Sequence, residues 1–126
     1  MRSMLALTAL AFLSTVSMAQ ETGPAGTWRD SFGTTMKFSM CGDGTQLCAT
    51  LLEVQGKSRT PSNLAFVNKQ IMQAKAAGAN KWKGTVTFDG AKADSTITQV
   101  SADQVNIQGC RLMILCQTLS FNRVKN

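Results

Sequence analysis

The sequence predicts an all-β domain, an antiparallel sandwich or barrel. Three observations carry that reading: runs of about five or six residues rich in Val, Ile, Thr and Phe, apolar–polar alternation at period two within them, and closely spaced Gly, Asn or Asp turn signals between them. Closing such a sheet on itself also removes the exposed edges it would otherwise present. The 126 residues fit one domain. With 44% hydrophobic and 16% charged residues, the chain has too much apolar surface for a disordered polymer.

Residues 1–19 read as a secretory signal peptide. Arg2 supplies the positive start, Leu5 to Leu13 an apolar stretch, and Ser17-Met18-Ala19 the small residues before a cut at Gln20. The stretch is shorter than the ~18 apolar residues a membrane span needs, and Ser14, Thr15 and Ser17 interrupt it. The expectation is a periplasmic or secreted protein that does not span the membrane, with 20–126 as a single domain. Arg2 leaves with the leader, so the mature chain keeps twelve basic against seven acidic residues, a formal +5.

Within the mature chain Thr35–Met40 alternates, with Met36, Phe38 and Met40 on one face and Thr35, Lys37 and Ser39 on the other. Cys48–Val54 is its hairpin partner across a turn containing Asp43-Gly44, a hairpin signal. Residues 61–63 read as a loop. Residues 68–77 fit a short helix about as well as a strand, through Ile71, Ala74 and Lys75. Thr85–Phe88 ends at the turn pair Asp89-Gly90, and Ser95–Val100 and Gln104–Gln108 alternate around Ser101-Ala102-Asp103. Leu112–Cys116 and Thr118–Val124 complete the strands, with Leu119 and Phe121 sharing a face.

The four cysteines, Cys41, Cys48, Cys110 and Cys116, all lie in the exported part, which makes disulfides the default. Their spacings match neither a zinc knuckle nor a redox pair. Of three possible connectivities, chain entropy ranks the local one lower, at about 2.5 kcal/mol per short ring against about 4.4 for long ones. Geometry favours it, because a hairpin at Asp43-Gly44 would set Cys41 and Cys48 opposite each other. Residues 111–115, Arg-Leu-Met-Ile-Leu, are a poor turn on composition, so Cys110–Cys116 is the less clear pair.

Gly26-Thr27-Trp28 opens the mature fold and Arg123 nearly ends it. In a closed barrel the first and last strands are neighbours, so the Arg123 guanidinium could stack on Trp28, a contact worth about 0.5–2 kcal/mol. Gly26 would then let the chain approach closely. The alternative is an ordinary core Trp and a surface Arg.

Gly26-Thr27-Trp28, Cys41-Gly42, Leu47-Cys48, Lys81-Trp82-Lys83-Gly84, Gly109-Cys110, Leu115-Cys116 and Phe121-Asn122-Arg123-Val124 occur in an order that resembles a family of small exported bacterial proteins, domain of unknown function 2147. The resemblance covers nearly all of the mature chain. It implies a lipocalin-like (calycin-like) barrel and transfers no catalytic residue. Phe121 stands where that family usually has Trp, Ala49 where it has Gly, and Phe88-Asp89 where it often has an aromatic residue and Pro. With it, the expected fold is a small antiparallel up-and-down β-barrel of about eight strands, with room for one short helix.

The chain has no His, which excludes His-based triads and His-containing zinc sites. Asp43, Asp89 and Asp103 sit in turn contexts, and no pair of acids has a spacing that argues for a shared site. The expectation is a binding protein, not an enzyme, without metal or cofactor. Charge is more informative. No acid falls between Glu53 and Asp89, yet Lys57, Arg59, Lys69, Lys75, Lys81 and Lys83 do, with Trp82 among them. One electropositive region would attract anions over a Debye length of about 8–10 Å. The candidate partners are a small apolar or lipid ligand, an envelope protein such as a hydrolase to be inhibited, and an anionic envelope component such as lipopolysaccharide phosphate. A solvated, soluble surface is the plainer account of the charge. Nucleic acid is disfavoured by compartment and by the lack of interleaved aromatics. Met36, Phe38, Met40, Leu52, Phe88, Ile97, Val100, Ile107 and Phe121 are expected to fill most of the interior, leaving at most a shallow cavity.

Overall fold

The computed structural model describes residues 23–111 and 115–125. The leader read over 1–19 lies outside the described residues. Eight strands succeed one another: β1 Gly26–Arg29, β2 Thr34–Cys41, β3 Gln46–Val54, β4 Gln70–Ala76, β5 Lys81–Phe88, β6 Ala91–Ser101, β7 Gln104–Arg111 and β8 Leu115–Arg123. Each pairs antiparallel with its sequence neighbour and β8 returns to β1, so the sheet is a closed up-and-down barrel.

Local turn chemistry sets these connections. Asp89 and Gly90 take φ of 52° and 77°, and Phe88 faces Ala91, the two-residue hairpin in which both central residues need positive φ. In the β2–β3 turn Asp43 Oδ1 accepts the Thr45 amide at 3.0 Å and the Thr45 hydroxyl at 2.6 Å. In the β1–β2 turn Asp30 Oδ1 accepts the amides of Phe32 and Thr34. The longest connection, from β3 to β4, contains a 3-10 turn, Gly56–Ser58, and one helical turn, α1 (Pro61–Leu64). Thr60 caps α1 by accepting the Asn63 amide, and Pro61 starts it without losing a needed donor.

The structure decides one open reading and changes several expectations. Residues 68–77, which fit helix and strand alike, hold a strand: β4 occupies Gln70–Ala76, with Met72 and Ala74 buried and Gln73 and Lys75 exposed, the period of a strand. The helical turn falls instead on residues 61–64, read as loop. Of the strand expected over Leu112–Cys116, residues 112–114 lie outside the described residues, and Leu115 and Cys116 open β8, with Leu115 paired to Arg111. Among the proposed core residues, Met40 and Val100 are 41% and 50% exposed. Met40 lies beyond Phe38, the last β2 residue that β1 covers, and Val100 points away from the face shared by Ile97 and Gln99. Leu51, not Leu52, is the buried neighbour on β3.

Inward side chains from every strand form one core that includes Trp28, Met36, Phe38, Leu47, Met72, Trp82, Ile97, Val105 and Phe121. Both local disulfides are present, with Cα–Cα distances of 6.0 Å for Cys41–Cys48 and 4.0 Å for Cys110–Cys116. Two such bonds fit an oxidising compartment. No helix among the described residues is long and apolar enough to cross a membrane.

Candidate functional site

The barrel has two unlike ends. One collects the start of β1, the β2–β3 turn and the chain's last described residues. There Trp28 is fully buried, and the Arg123 guanidinium carbon sits 4.4 Å from the centre of its ring. The register explains the contact. Val124 donates its amide to Thr27 at 2.8 Å, so the next pair along, Trp28 with Arg123, is a non-hydrogen-bonded pair whose side chains stand closest. Arg123 also donates to the carbonyls of Ala102, Ala25 and Gly23 at 2.9, 2.8 and 2.7 Å, drawing residues 23–25 across the opening. The Trp28 indole N–H donates to the Pro24 carbonyl at 2.9 Å. Gly26 has φ 137°, and a Cβ there would lie 2.6 Å from Arg123 Nη1. Gly26, Trp28 and Arg123 thus form one unit that closes this end.

The other end is open. Between the β1–β2 turn, the β5–β6 turn and the start of β8 lies a cavity of about 430 Å³. Its wall includes Met36, Ile71, Val86, Ile107, Leu119 and Phe121, and Asp89, Arg111 and Gln117 stand among its polar residues. The interior is therefore filled in one half and hollow in the other, deeper than the shallow cavity expected. Four inward positions at this end are small or polar, Ala93, Gly109, Arg111 and Gln117, whereas the closed end has Trp82, Phe38 and Leu47. At Gly109 a Cβ would meet Ala93 and Val86 at 3.9 Å, ordinary van der Waals contact, so the backbone there admits a side chain. Arg111 Nη2 donates to the Phe88 carbonyl at 3.2 Å, and its other donors have no acidic partner among the described residues. Thr34, 2% exposed and on the cavity wall, has a buried hydroxyl without a hydrogen-bond partner. Asp89 Oδ1 accepts the Thr60 hydroxyl at 3.2 Å.

The basic segment does not make one patch. Lys57, Arg59 and Lys69 belong to the β3–β4 connection at the open end, with Lys57 over the Phe32 ring at 5.9 Å and Lys69 over Phe66 at 5.8 Å. Lys75, Lys81 and Lys83 lie on the outer face toward the closed end, about 20 Å along β4 from Lys69 at the usual strand rise. Lys75 and Lys83 are directly opposite each other. Trp82 is separated from all of them: at 8% exposure it points into the core, because neighbours along a strand face opposite sides. The two ion pairs among the described residues, both on Asp103, involve none of the six cations.

Arg111, Gly109 and Thr34 were missed as site residues in the sequence. One signal was available: Val105, Ile107, Gly109 and Arg111 alternate on one face, so a glycine and a cation occupy positions whose period-two neighbours are core. Among the described residues no group of three or more carboxylates or thiols is placed to hold a metal ion. The chain matches no family model, and no curated protein matches it significantly.

Proposed function

We propose that this is an exported, lipocalin-like binding protein without catalytic activity, which carries a small apolar ligand in the open end of its barrel. The single supporting observation is the cavity: about 430 Å³, apolar in its wall and open on one side. Ligand pockets run from about 300 to 1,000 Å³, and the lower part of that range suits one acyl chain or one compact ring system. The polar end of such a ligand would meet Arg111, whose unpaired donors favour a carboxylate or another anion, and the Thr34 hydroxyl. The motif order shared with the domain of unknown function 2147 family and the signal-like leader support export to the envelope.

A dansyl-labelled undecanoic acid tests the reading. It should bind the wild type with micromolar affinity and gain fluorescence. Gly109→Leu, whose Cβ is accommodated and whose side chain would extend from the cavity wall, should weaken it at least tenfold while the protein still melts cooperatively. Arg111→Gln should weaken the acid about tenfold and leave the corresponding alcohol unaffected, the effect of one charge-assisted hydrogen bond. Undiminished binding to Gly109→Leu would remove the cavity from the account.

A further inference from the structure

β1 pairs with β8 over only Trp28–Arg123 and Arg29–Asn122, whereas β8 runs nine residues from Leu115. Beyond Asn122 the side of β8 that faces away from β7 is therefore an open strand edge. Its polar groups can be assigned. Arg123 sends its amide to Asp103 on the β7 side and Val124 sends its amide to Thr27 on the β1 side, so even-numbered residues turn their N–H and C=O away from β7. The Cα–Cα distance of 4.0 Å between Cys110 and Cys116 agrees, since only non-hydrogen-bonded pairs approach so closely. Among the described residues, Cys116, Thr118 and Ser120 thus present unpaired backbone groups at the spacing of an antiparallel ladder.

Exposed edges are normally blunted by Lys, Pro, a bulge or a covering segment. Residues 115–121, Leu-Cys-Gln-Thr-Leu-Ser-Phe, contain neither Lys nor Pro, and their register with β7 has no shift. The β3–β4 connection covers a different part of the rim, bonding to the β1–β2 turn through Ser58 and to Asp89 through Thr60 and Asn63. Leu115, at 63% exposure, is the most exposed large apolar residue of the described chain.

We infer that the edge of β8 is a docking site for an extended, acidic polypeptide segment of a partner protein, which adds as a strand in line with β1. Recognition rests on the backbone of Cys116, Thr118 and Ser120, with alternate side chains of the added strand directed into the neighbouring cavity. Charge selects an acidic partner. Arg111 on β7 and Arg29, which ends the strand that the added segment would continue, flank the edge, and neither β7 nor β8 contains an acid. The inference rests on the strand edge and stands whether or not the cavity holds a small molecule.

A fluorescein-labelled peptide alternating valine and glutamate is the probe. It should bind the intact protein, and at saturation slow amide hydrogen exchange at Cys116, Thr118 and Ser120 at least tenfold while leaving the β7-facing amides unchanged. The same peptide N-methylated at alternate residues, or carrying lysine for glutamate, should bind at least tenfold more weakly. Thr118→Pro removes an N–H that β7 does not use, and should cost the same factor without lowering the melting temperature. If that variant fails to fold, the N-methylated peptide carries the comparison on unmodified protein. Equal binding of the N-methylated peptide, or unchanged exchange at the three amides, would overturn the inference. So would sedimentation showing a dimer that Thr118→Pro dissociates, which would give the edge to a second copy.

Discussion

The two ends of the barrel use the same eight strands and differ in what the inward positions carry. At the closed end Trp28, Phe38 and Leu47 fill the lumen, and Arg123 stacks on Trp28, ties the first described residues across it with two hydrogen bonds and bonds Ala102 with a third. At the open end Ala93, Gly109 and Arg111 occupy the same kind of position, and a cavity remains. Each end also carries one arginine at the inward end of a strand. Arg123 is 16% exposed with its donors satisfied by carbonyls, and Arg111 is exposed with a single 3.2 Å bond. One arginine closes the structure and the other is left available, which separates a packed end from a hollow one.

Large-to-small substitutions give the widest contrast. Trp28→Ala should cost about 3–5 kcal/mol, because a fully buried ring leaves a void that a two-residue strand contact cannot close. Ile107→Ala, on the cavity wall, should cost only about 2 kcal/mol, since part of its surface faces space that is already empty. Urea unfolding of both variants measures the gap, and equal losses would erase the distinction between the ends.

The disulfides sharpen it in a different readout. Replacing either pair with alanine should cost about 2.5 kcal/mol, because the two rings are of nearly equal length. Only loss of Cys110–Cys116, which lies at the cavity, should also weaken binding of the dansylated acid. Next in size, Arg123→Ala should destabilise by about 2 kcal/mol through the lost stacking and hydrogen bonds, while Arg111→Ala stays within about 0.5 kcal/mol. Thermal melts of the two single variants decide this.

The smallest effect concerns Asp43 in the β2–β3 turn. The Thr45 hydroxyl, and then the Thr45 amide, hold its carboxyl below the ordinary value of 3.8. A depressed acid adds stability that is complete above its unfolded pKa and fades as pH falls through the lower folded value. Asp43→Asn should therefore remove a small amount of stability at neutral pH, where the contribution is complete, and flatten the dependence of stability on pH below about 4, where it fades. A carbon-detected titration of Asp43 with a midpoint at or above 3.8 would contradict the turn geometry.

Much of the barrel was legible in the residues. Asp89-Gly90 and Asp43-Gly44 announce their hairpins because few residues tolerate positive φ, and alternation along Thr35–Met40 announces a half-buried strand. The Gly26, Trp28, Arg123 unit was legible once closure was assumed, since closure makes the first and last strands neighbours. Residues 68–77 were not, because Ile71, Met72 and Ala74 satisfy helical and strand spacing alike, and only pairing with β3 and β5 selects the strand. The connection between Arg111 and Leu115 carries no Gly or Asn signal, so register and the Cys110–Cys116 bond define that hairpin.

What the sequence alone determined is local: which segments alternate, where the chain must reverse, and which cysteines a hairpin can join. Each depends on a handful of neighbouring residues and on backbone sterics. What only the tertiary structure decided is where material is missing. The hollow at the open end and the bare edge of β8 arise because β1 is four residues long beside a nine-residue partner, and because Gly109 and Arg111 face inward together. A mismatch between elements far apart in the chain has no local signature, since it depends on how strands of unequal length meet when the sheet closes.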